Sequence, residues 1–122
     1  MKQALFCSLA LLIILTAGCD KGVTTASDHL YKGVVLHDMC GSIVIKNIGF
    51  PALGQPTWTD SNFSSHPVYY DVFKVGNPCQ FVNHKEGDTI YYRVTVPEAQ
   101  TCAFCMLFVY TPSVSKNITV VQ

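Results

Sequence analysis

Charged side chains are scarce in this chain, and neither sign is in excess. Only 13% of its 122 residues are charged, with eight lysines and arginines against eight aspartates and glutamates. A domain that binds nucleic acid needs a basic face to neutralise phosphates, so we expect no nucleic-acid partner. Beyond the N-terminal region, no apolar run reaches the roughly 18 residues that a membrane-spanning helix requires.

Sequence signatures of catalysis are also missing. The chain has no Gly-x-Ser-x-Gly elbow, no glycine-rich phosphate loop and no closely spaced carboxylate pair. The spacing of its histidines does not match paired metal ligands, so we interpret them as surface or turn residues. These histidines are His29, His37, His66 and His84. The sequence therefore predicts a protein that is not an enzyme and that holds no cofactor or metal.

The N-terminus has the features of an export signal. Lys2 precedes an apolar run from Ala4 to Leu15, which is too short to span a bilayer comfortably. The ending Leu15-Thr16-Ala17-Gly18-Cys19 resembles the lipobox of bacterial lipoproteins. It departs from that pattern at Thr16, where leucine is usual.

The lipobox resemblance implies that residues 1–18 are a signal peptide and that Cys19 carries acyl chains such as palmitate. Two or three such chains hold a protein on a membrane, whereas one gives only marginal binding. We therefore expect a membrane-anchored protein in the cell envelope, facing the periplasm or the cell exterior. Residues 19–29 are predicted as a lipidated flexible tether and residues 30–122 as a single domain. Without acylation, the chain would be an ordinary secreted protein with a stray thiol.

Cysteine counting agrees with an anchor at Cys19. The chain has six cysteines, of which Cys7 leaves with the signal peptide. If Cys19 carries lipid, an even four remain, namely Cys40, Cys79, Cys102 and Cys105. In an oxidising envelope compartment, four cysteines in a small domain predict two disulfides. Sequence alone leaves three pairings open.

Six segments rich in β-branched and aromatic residues, separated by turn-forming residues, are predicted to be strands. They are residues 31–37, 42–48, 68–75, 89–96, 103–110 and 117–121. In the fourth segment Val94 belongs to the buried face and Thr95 to the solvated face, because apolar and polar residues alternate there. The fifth is apolar throughout, which favours a strand buried on both sides. No segment shows helical spacing over three turns.

An all-β chain of this size is predicted to form a small five- or six-stranded OB-like barrel, because closure removes exposed strand edges. The alternative is an immunoglobulin-like β-sandwich. That fold is less favoured because Trp58 lies in a loop-like stretch rather than between two cysteines on core strands.

Three short motifs resemble small lipid-anchored OB-like proteins of Bacteroidetes-type bacteria. They are Cys-Gly-x-Ile-Val-Ile at residues 40–45, Lys-x-Gly-Asp-x-Ile at 85–90, and a late cysteine followed by an apolar strand and a closing Ile-x-Val. The resemblance implies a β-barrel and a disulfide from Cys40 to the late strand, but no established activity. The long stretch from Phe50 to Pro67 and the additional cysteines depart from the pattern.

The late cysteines allow two interpretations. Cys102 and Cys105 have the Cys-x-x-Cys spacing of redox dithiols, but no βαβ pattern surrounds them. Positions three apart on a strand point to opposite faces, so we favour bridges from these cysteines to Cys40 and Cys79. A late strand that returns beside the first hairpin would place Cys40 near this segment. Of the two resulting pairings, we favour Cys40 with Cys105 and Cys79 with Cys102.

Residues 50–67 form a long predicted loop that carries Trp58 and Phe63. Loops longer than about 12 to 15 residues are usually functional or disordered, so these aromatic residues are candidates for contact with a partner. In the alternative, Trp58 folds back and caps one end of the barrel.

These observations predict a non-enzymatic, lipid-anchored β-barrel that binds or supports an envelope protein or glycan. The alternative is a small redox or metal-handling lipoprotein that uses Cys102 and Cys105. A third hypothesis is an inhibitor or immunity factor that blocks an extracellular enzyme with a loop, although no short inhibitor signature is present.

Overall fold

The computed structural model describes residues 26–103, 105 and 107–121. The predicted signal peptide and Cys19 lie outside these residues. The described chain is all-β, with six strands and one short 3-10 helix. The elements are β1 Tyr31–Met39, β2 Ser42–Ile48, β3 Gln55–Thr59, β4 Val68–Val75, the 3-10 helix Pro78–Gln80, β5 Thr89–Thr95 and β6 Ser115–Val121.

Five of the strands close into a barrel. Going round it, β1 pairs with β2, β2 with β4, β4 with β6, β6 with β5, and β5 again with β1. All of these pairings are antiparallel except that of β4 with β6. The arrangement is a small OB-like barrel, as the sequence predicted, and the immunoglobulin-like sandwich was wrong.

The sixth strand, β3, was not predicted. It lies within residues 50–67, which the sequence indicated to be a loop, and it pairs only with β4. Pro56 lacks a backbone N–H and Trp58 is its one buried residue, so the segment is typical of a short edge strand rather than a central one.

The predicted strand at residues 103–110 was wrong. The part of this segment that the structure describes contains no strand, and Leu107 and Phe108 are exposed. Disulfides and side-chain hydrogen bonds hold the segment instead of strand partners. Its apolar composition therefore does not reflect burial.

The barrel interior is filled by side chains from the strands and from Phe81. The buried cluster comprises Tyr31, Val35, Ile43, Ile45, Phe73, Val75, Phe81, Ile90, Tyr92, Val94 and Ile118. Ile90, Tyr92 and Val94 are buried while Tyr91 and Arg93 are exposed, so the alternation predicted for this strand is confirmed. Val96 was predicted on the buried face, but it follows the strand and is exposed.

A second, smaller apolar cluster lies on the outside of the barrel. Trp58 of β3 packs with Val44 and Val72, and Tyr69 packs against them. The backbone of Asp71 is left-handed, with φ of 52°. Tyr69 and Val72, three positions apart, therefore share the outer face, while Phe73 returns to the core. The alternation of inward and outward side chains is thus interrupted at Asp71. This interruption explains why the sequence left the buried face of β4 ambiguous.

A buried polar network crosses the barrel wall. The Tyr92 hydroxyl donates to Asn47 Oδ1 at 2.7 Å, and Asn47 Nδ2 donates to the Asp71 carboxylate at 2.6 Å. The other oxygen of Asp71 accepts from the backbone N–H groups of Leu53 and Gly54. Burial raises the pKa of the Tyr92 phenol well above its ordinary value, and the nearby charges of Asp71 and Tyr31 raise it further.

We predict that Tyr92→Phe lowers the free energy of unfolding by about 1 to 3 kcal/mol at neutral pH, because Asn47 Oδ1 loses its donor. The Tyr92 pKa is higher in the folded than in the unfolded state, so the wild type loses stability as pH rises above about 10. The phenylalanine variant lacks this loss. Urea midpoints at pH 7, 9 and 11 should show the difference between the two proteins shrinking at pH 11. A constant difference would contradict the prediction.

Candidate functional site

Two disulfides hold the long connection between β5 and β6, residues 96–114. Cys105 is bonded to Cys40 in the β1–β2 turn, with 5.2 Å between their Cα atoms. Cys102 is bonded to Cys79 in the 3-10 helix, with 5.5 Å between their Cα atoms. The favoured pairing is thus confirmed. Cys102 and Cys105 are not bonded to each other, and neither is a free thiol.

The geometry of the β1–β2 turn holds Cys40 in position for this cross-link. Met39 pairs with Ser42, which leaves a two-residue turn of Cys40 and Gly41 with φ of 52° and 77°. Positive φ at both positions is typical of the tight hairpin turns that match strand twist. The turn therefore presents the Cys40 thiol at a fixed place beside the β5–β6 connection.

A groove of about 540 Å³ lies between this turn and the connection. It is lined by Lys74 and Val75 at the end of β4, by the following Gly76, and by Cys40, Cys105 and Leu107. In OB-like barrels, the face of the second and third barrel strands and the two adjoining loops is the usual place for a ligand. Here those elements are β2, β4, the β1–β2 turn and the β5–β6 connection.

The lining of the groove is polar but nearly uncharged. It includes the hydroxyls of Ser42, Thr111, Ser113 and Ser115 and the amide of Gln100. Of the described residues that line it, Lys74 alone carries a charge. Hydroxyl and amide groups can both donate and accept hydrogen bonds, so this lining suits a polar ligand with little charge.

Exposed aromatic side chains are close to the groove in sequence, since Phe108 and Tyr110 lie between the lining residues Leu107 and Thr111. We call Phe63, Phe108 and Tyr110 the aromatic rim. The rings of Phe108 and Tyr110 pack edge to face with centroids 5.1 Å apart. Asn62 joins the loop of Phe63 to the connection through two 2.8 Å hydrogen bonds, donating to the Tyr110 carbonyl and accepting from its N–H. Phe108 is 79% exposed, so the rim presents apolar surface without covering it.

A buried contact between His37 and Asp60 fastens the Phe63 loop to the barrel. A register shift in β1 between Val35 and His37 places His37 opposite Val44, on the outer face. There His37 Nε2 contacts the Asp60 carboxylate, and both side chains are buried. The imidazole stacks on Phe63 with ring centroids 5.2 Å apart. Asp60 Oδ1 also accepts from the backbone and side chain of Asn62, so the pair supports the rim.

The interpretation of all four histidines as surface or turn residues was wrong for His37. His29 and His66 are exposed and His84 is half-buried, whereas His37 is 1% exposed. Its Nδ1 lies 3.6 Å from a Glu86 carboxylate oxygen and has no hydrogen-bond partner among the described residues. Asp60 lies 23 positions away in sequence, so no local pattern could have revealed the pair.

The two aromatic candidates from the sequence have different environments. Trp58 is only 6% exposed and folds against the outer face of the barrel, rather than contacting solvent or capping one end. Phe63 is exposed on the aromatic rim, where contact with a partner stays a prediction. Tyr110 and Phe108 were missed as site residues because their segment was predicted to be a buried strand.

Within residues 26–103, 105 and 107–121, no group of three or more His, Cys, Asp or Glu side chains is placed to hold a metal ion. The same part of the chain contains no helix of the length and apolarity needed to cross a bilayer.

No protein-family model, curated protein or solved structure matches the chain. The lipoprotein resemblance therefore stays a prediction from the sequence.

Proposed function

We propose that this protein is a lipid-anchored, non-enzymatic binding module of the bacterial cell envelope, and that its groove takes an envelope glycan. The observation that carries this proposal is the groove itself, which two disulfides frame at the place where OB-like barrels bind ligands. The lipobox-like ending at Cys19 and the predicted oxidising compartment support the envelope location.

The chemistry of the groove favours a glycan over the other polymers of the envelope. Neutral hydroxyl and amide groups line it, and the aromatic rim offers flat apolar surface next to them. A sugar chain has this same combination of hydroxyls and apolar C–H faces. Nucleic acid would require several cations to neutralise phosphates, but Lys74 is the single cation among the described lining residues.

The redox alternative loses support because its dithiol is not formed. Cys102 and Cys105 belong to separate disulfides. They therefore do not form the Cys-x-x-Cys disulfide that a redox protein would reduce and reoxidise. The four cysteines instead cross-link the chain, since their two bridges hold the β5–β6 connection that forms one wall of the groove.

Co-sedimentation with purified peptidoglycan sacculi tests the proposal, because sacculi are insoluble envelope glycan. We expect the mature protein, kept soluble in detergent, to sediment with sacculi. Phe108→Ala should weaken the affinity for sacculi roughly 2- to 10-fold, since a lost aromatic contact is worth about 0.5 to 1.5 kcal/mol and 1.4 kcal/mol is tenfold in affinity. Phe108 is 79% exposed, so this change should not unfold the domain.

Phe50→Ala is the matched control, because Phe50 is also a highly exposed phenylalanine but lies in the β2–β3 loop, whereas Phe108 lies between the groove-lining residues Leu107 and Thr111. This variant should bind sacculi as the wild type does. An equal loss in both variants would show that binding does not depend on the groove. If the wild-type protein stays in the supernatant, the glycan proposal is contradicted and an envelope protein becomes the favoured partner.

A further inference from the structure

A row of outward-facing residues crosses the barrel near the start of β1. Lys32 pairs with Ile48 of β2 on one side and with Tyr91 of β5 on the other, and Tyr91 pairs with Val121 of β6. Ile48, Lys32 and Tyr91 are exposed, whereas their sequence neighbours Tyr31, Asn47 and Tyr92 are buried. We call Ile48, Lys32 and Tyr91 the outer row. Ile48 and Tyr91 thus present apolar surface to solvent on either side of Lys32.

Phe50 extends this apolar surface. It follows Ile48 by two residues in the β2–β3 loop and is 90% exposed, more than any other large apolar residue in the described part of the chain. The ammonium group of Lys32 lies 5.9 Å from the centre of the Tyr91 ring. Aromatic rings beside a cation are typical of surfaces that sit at the boundary between lipid headgroups and acyl chains.

Charge is distributed unevenly along β1. Around the outer row the outward strand faces carry the exposed Lys32 and Arg93 and the half-buried Lys46, which pairs with Val34. Acidic residues gather at the other end of β1, where the Asp38 N–H lies 3.4 Å from a Glu86 carboxylate oxygen. A bilayer with anionic headgroups would attract the first end and repel the second.

The N-terminal segment leads away from the same region. The Ser27 N–H donates to the Val94 carbonyl at 3.0 Å, so the chain before β1 runs beside β5, the strand of Tyr91. Ser27 lies eight positions after Cys19, with seven residues between them. Even a fully extended chain of that length reaches only about 28 Å. Acyl chains on Cys19 would therefore keep the barrel within contact distance of the membrane.

From these observations we propose that the outer row and Phe50 form a docking face on which the barrel rests against an anionic phospholipid bilayer. The proposal rests on the proposed acylation of Cys19, which holds the protein at a membrane. It adds that the barrel has one fixed orientation on that membrane. The groove lies at the β1–β2 turn, at the opposite end of that hairpin from Lys32 and Ile48, so this orientation turns the groove away from the bilayer.

Tryptophan quenching by lipids tests the docking face. The mature protein is placed in phosphatidylglycerol-containing vesicles whose acyl chains carry bromine, after its intact mass has shown whether Cys19 is acylated. Phe50→Trp should lose about half its added fluorescence, because an interfacial aromatic ring reaches the acyl boundary. Phe108→Trp is the control, because Phe108 is also a highly exposed phenylalanine but belongs to the aromatic rim. This variant should keep its fluorescence. Trp58 is buried and is present in every variant.

Equal quenching of the two variants, or quenching of neither, would overturn the docking face while leaving an acylated anchor intact. A protein without acyl chains would instead contradict the anchor. The unacylated protein is then mixed with the same vesicles, where unquenched Phe50→Trp would overturn the docking face as well.

A charge reversal gives a second, independent measurement. Lys32→Glu in the unacylated protein should weaken binding to anionic vesicles by at least about fivefold, because each cation at such a surface contributes about a fivefold gain and the introduced carboxylate is repelled as well. Lys85→Glu makes the same charge change beside Glu86, outside the docking face, and should bind as the wild type does. Equal weakening in both variants would show that only net charge matters and would contradict the proposal.

Discussion

Replacing Val94 by aspartate is expected to lower the free energy of unfolding by about 3 to 5 kcal/mol, because an unpaired carboxylate would enter the barrel core. Val94 is 5% exposed and belongs to the buried cluster with Tyr92 and Ile118. A domain this small is stabilised by about 5 to 15 kcal/mol in total, so much of its stability would be lost. The melting temperature should fall by roughly 12 to 40 °C.

The matched control is Thr95→Asp, which places the same side chain at the next position of β5. Thr95 points away from the core and pairs with Asn117. This substitution should cost about 1 kcal/mol or less, since it affects mainly strand propensity. Thermal unfolding followed by circular dichroism would compare the two variants. Similar melting temperatures would show that the assignment of faces in β5 is wrong.

The strands that were predicted correctly from the sequence have one buried face and one solvent-exposed face. In β5, Ile90, Tyr92 and Val94 enter the core while Tyr91 and Arg93 face solvent. The resulting two-residue period is visible in the sequence without any knowledge of partners. The β1–β2 hairpin was predicted for a related reason, because its turn residues separate two apolar segments.

The errors occurred where composition and environment disagree. The apolar residues Leu107 and Phe108 suggested a buried strand, but they are exposed on a loop held by cross-links. Residues 55–59 are mostly polar and contain Pro56, yet they pair with residues 68–72 of β4. In both cases the structure depends on distant residues, which local propensity does not record.

The candidate site was predicted only in part for the same reason. Closure of a small barrel was enough to bring Cys40 beside the late cysteines, and the structure confirms that contact. The His37–Asp60 pair depends on a register shift inside β1 and on a partner from another loop. The sequence pattern of β1 gave no sign of this shift, so the support of the aromatic rim could not be foreseen.

The two proposals assign the two ends of the β1–β2 hairpin to different environments. The groove depends on residues at the β1–β2 turn and in the β5–β6 connection, whereas the docking face uses the opposite end of the hairpin. If both proposals hold, the anchor and the outer row fix the orientation, and the disulfides fix the shape of the groove that faces the envelope.

Removing the Cys40–Cys105 bond is expected to have the other large effect. The bond closes a loop with a sequence separation of 65 residues, and the chain-entropy estimate for such a loop is about 4 kcal/mol. The double change Cys40→Ala with Cys105→Ala leaves no stray thiol. It should lower the melting temperature by roughly 16 to 32 °C and should also reduce binding to sacculi, because one wall of the groove is released.

Cys79→Ala with Cys102→Ala is the matched control, since it also removes one disulfide from the same connection. Its sequence separation is 23, so the expected loss is smaller, about 3.5 kcal/mol. Cys105 would still hold the connection to the β1–β2 turn, so sacculus binding should be largely kept. Peptide mapping without reductant checks the connectivity directly. A Cys102–Cys105 peptide in the wild type, or unchanged stability after loss of Cys40 and Cys105, would contradict this account of how the groove is framed.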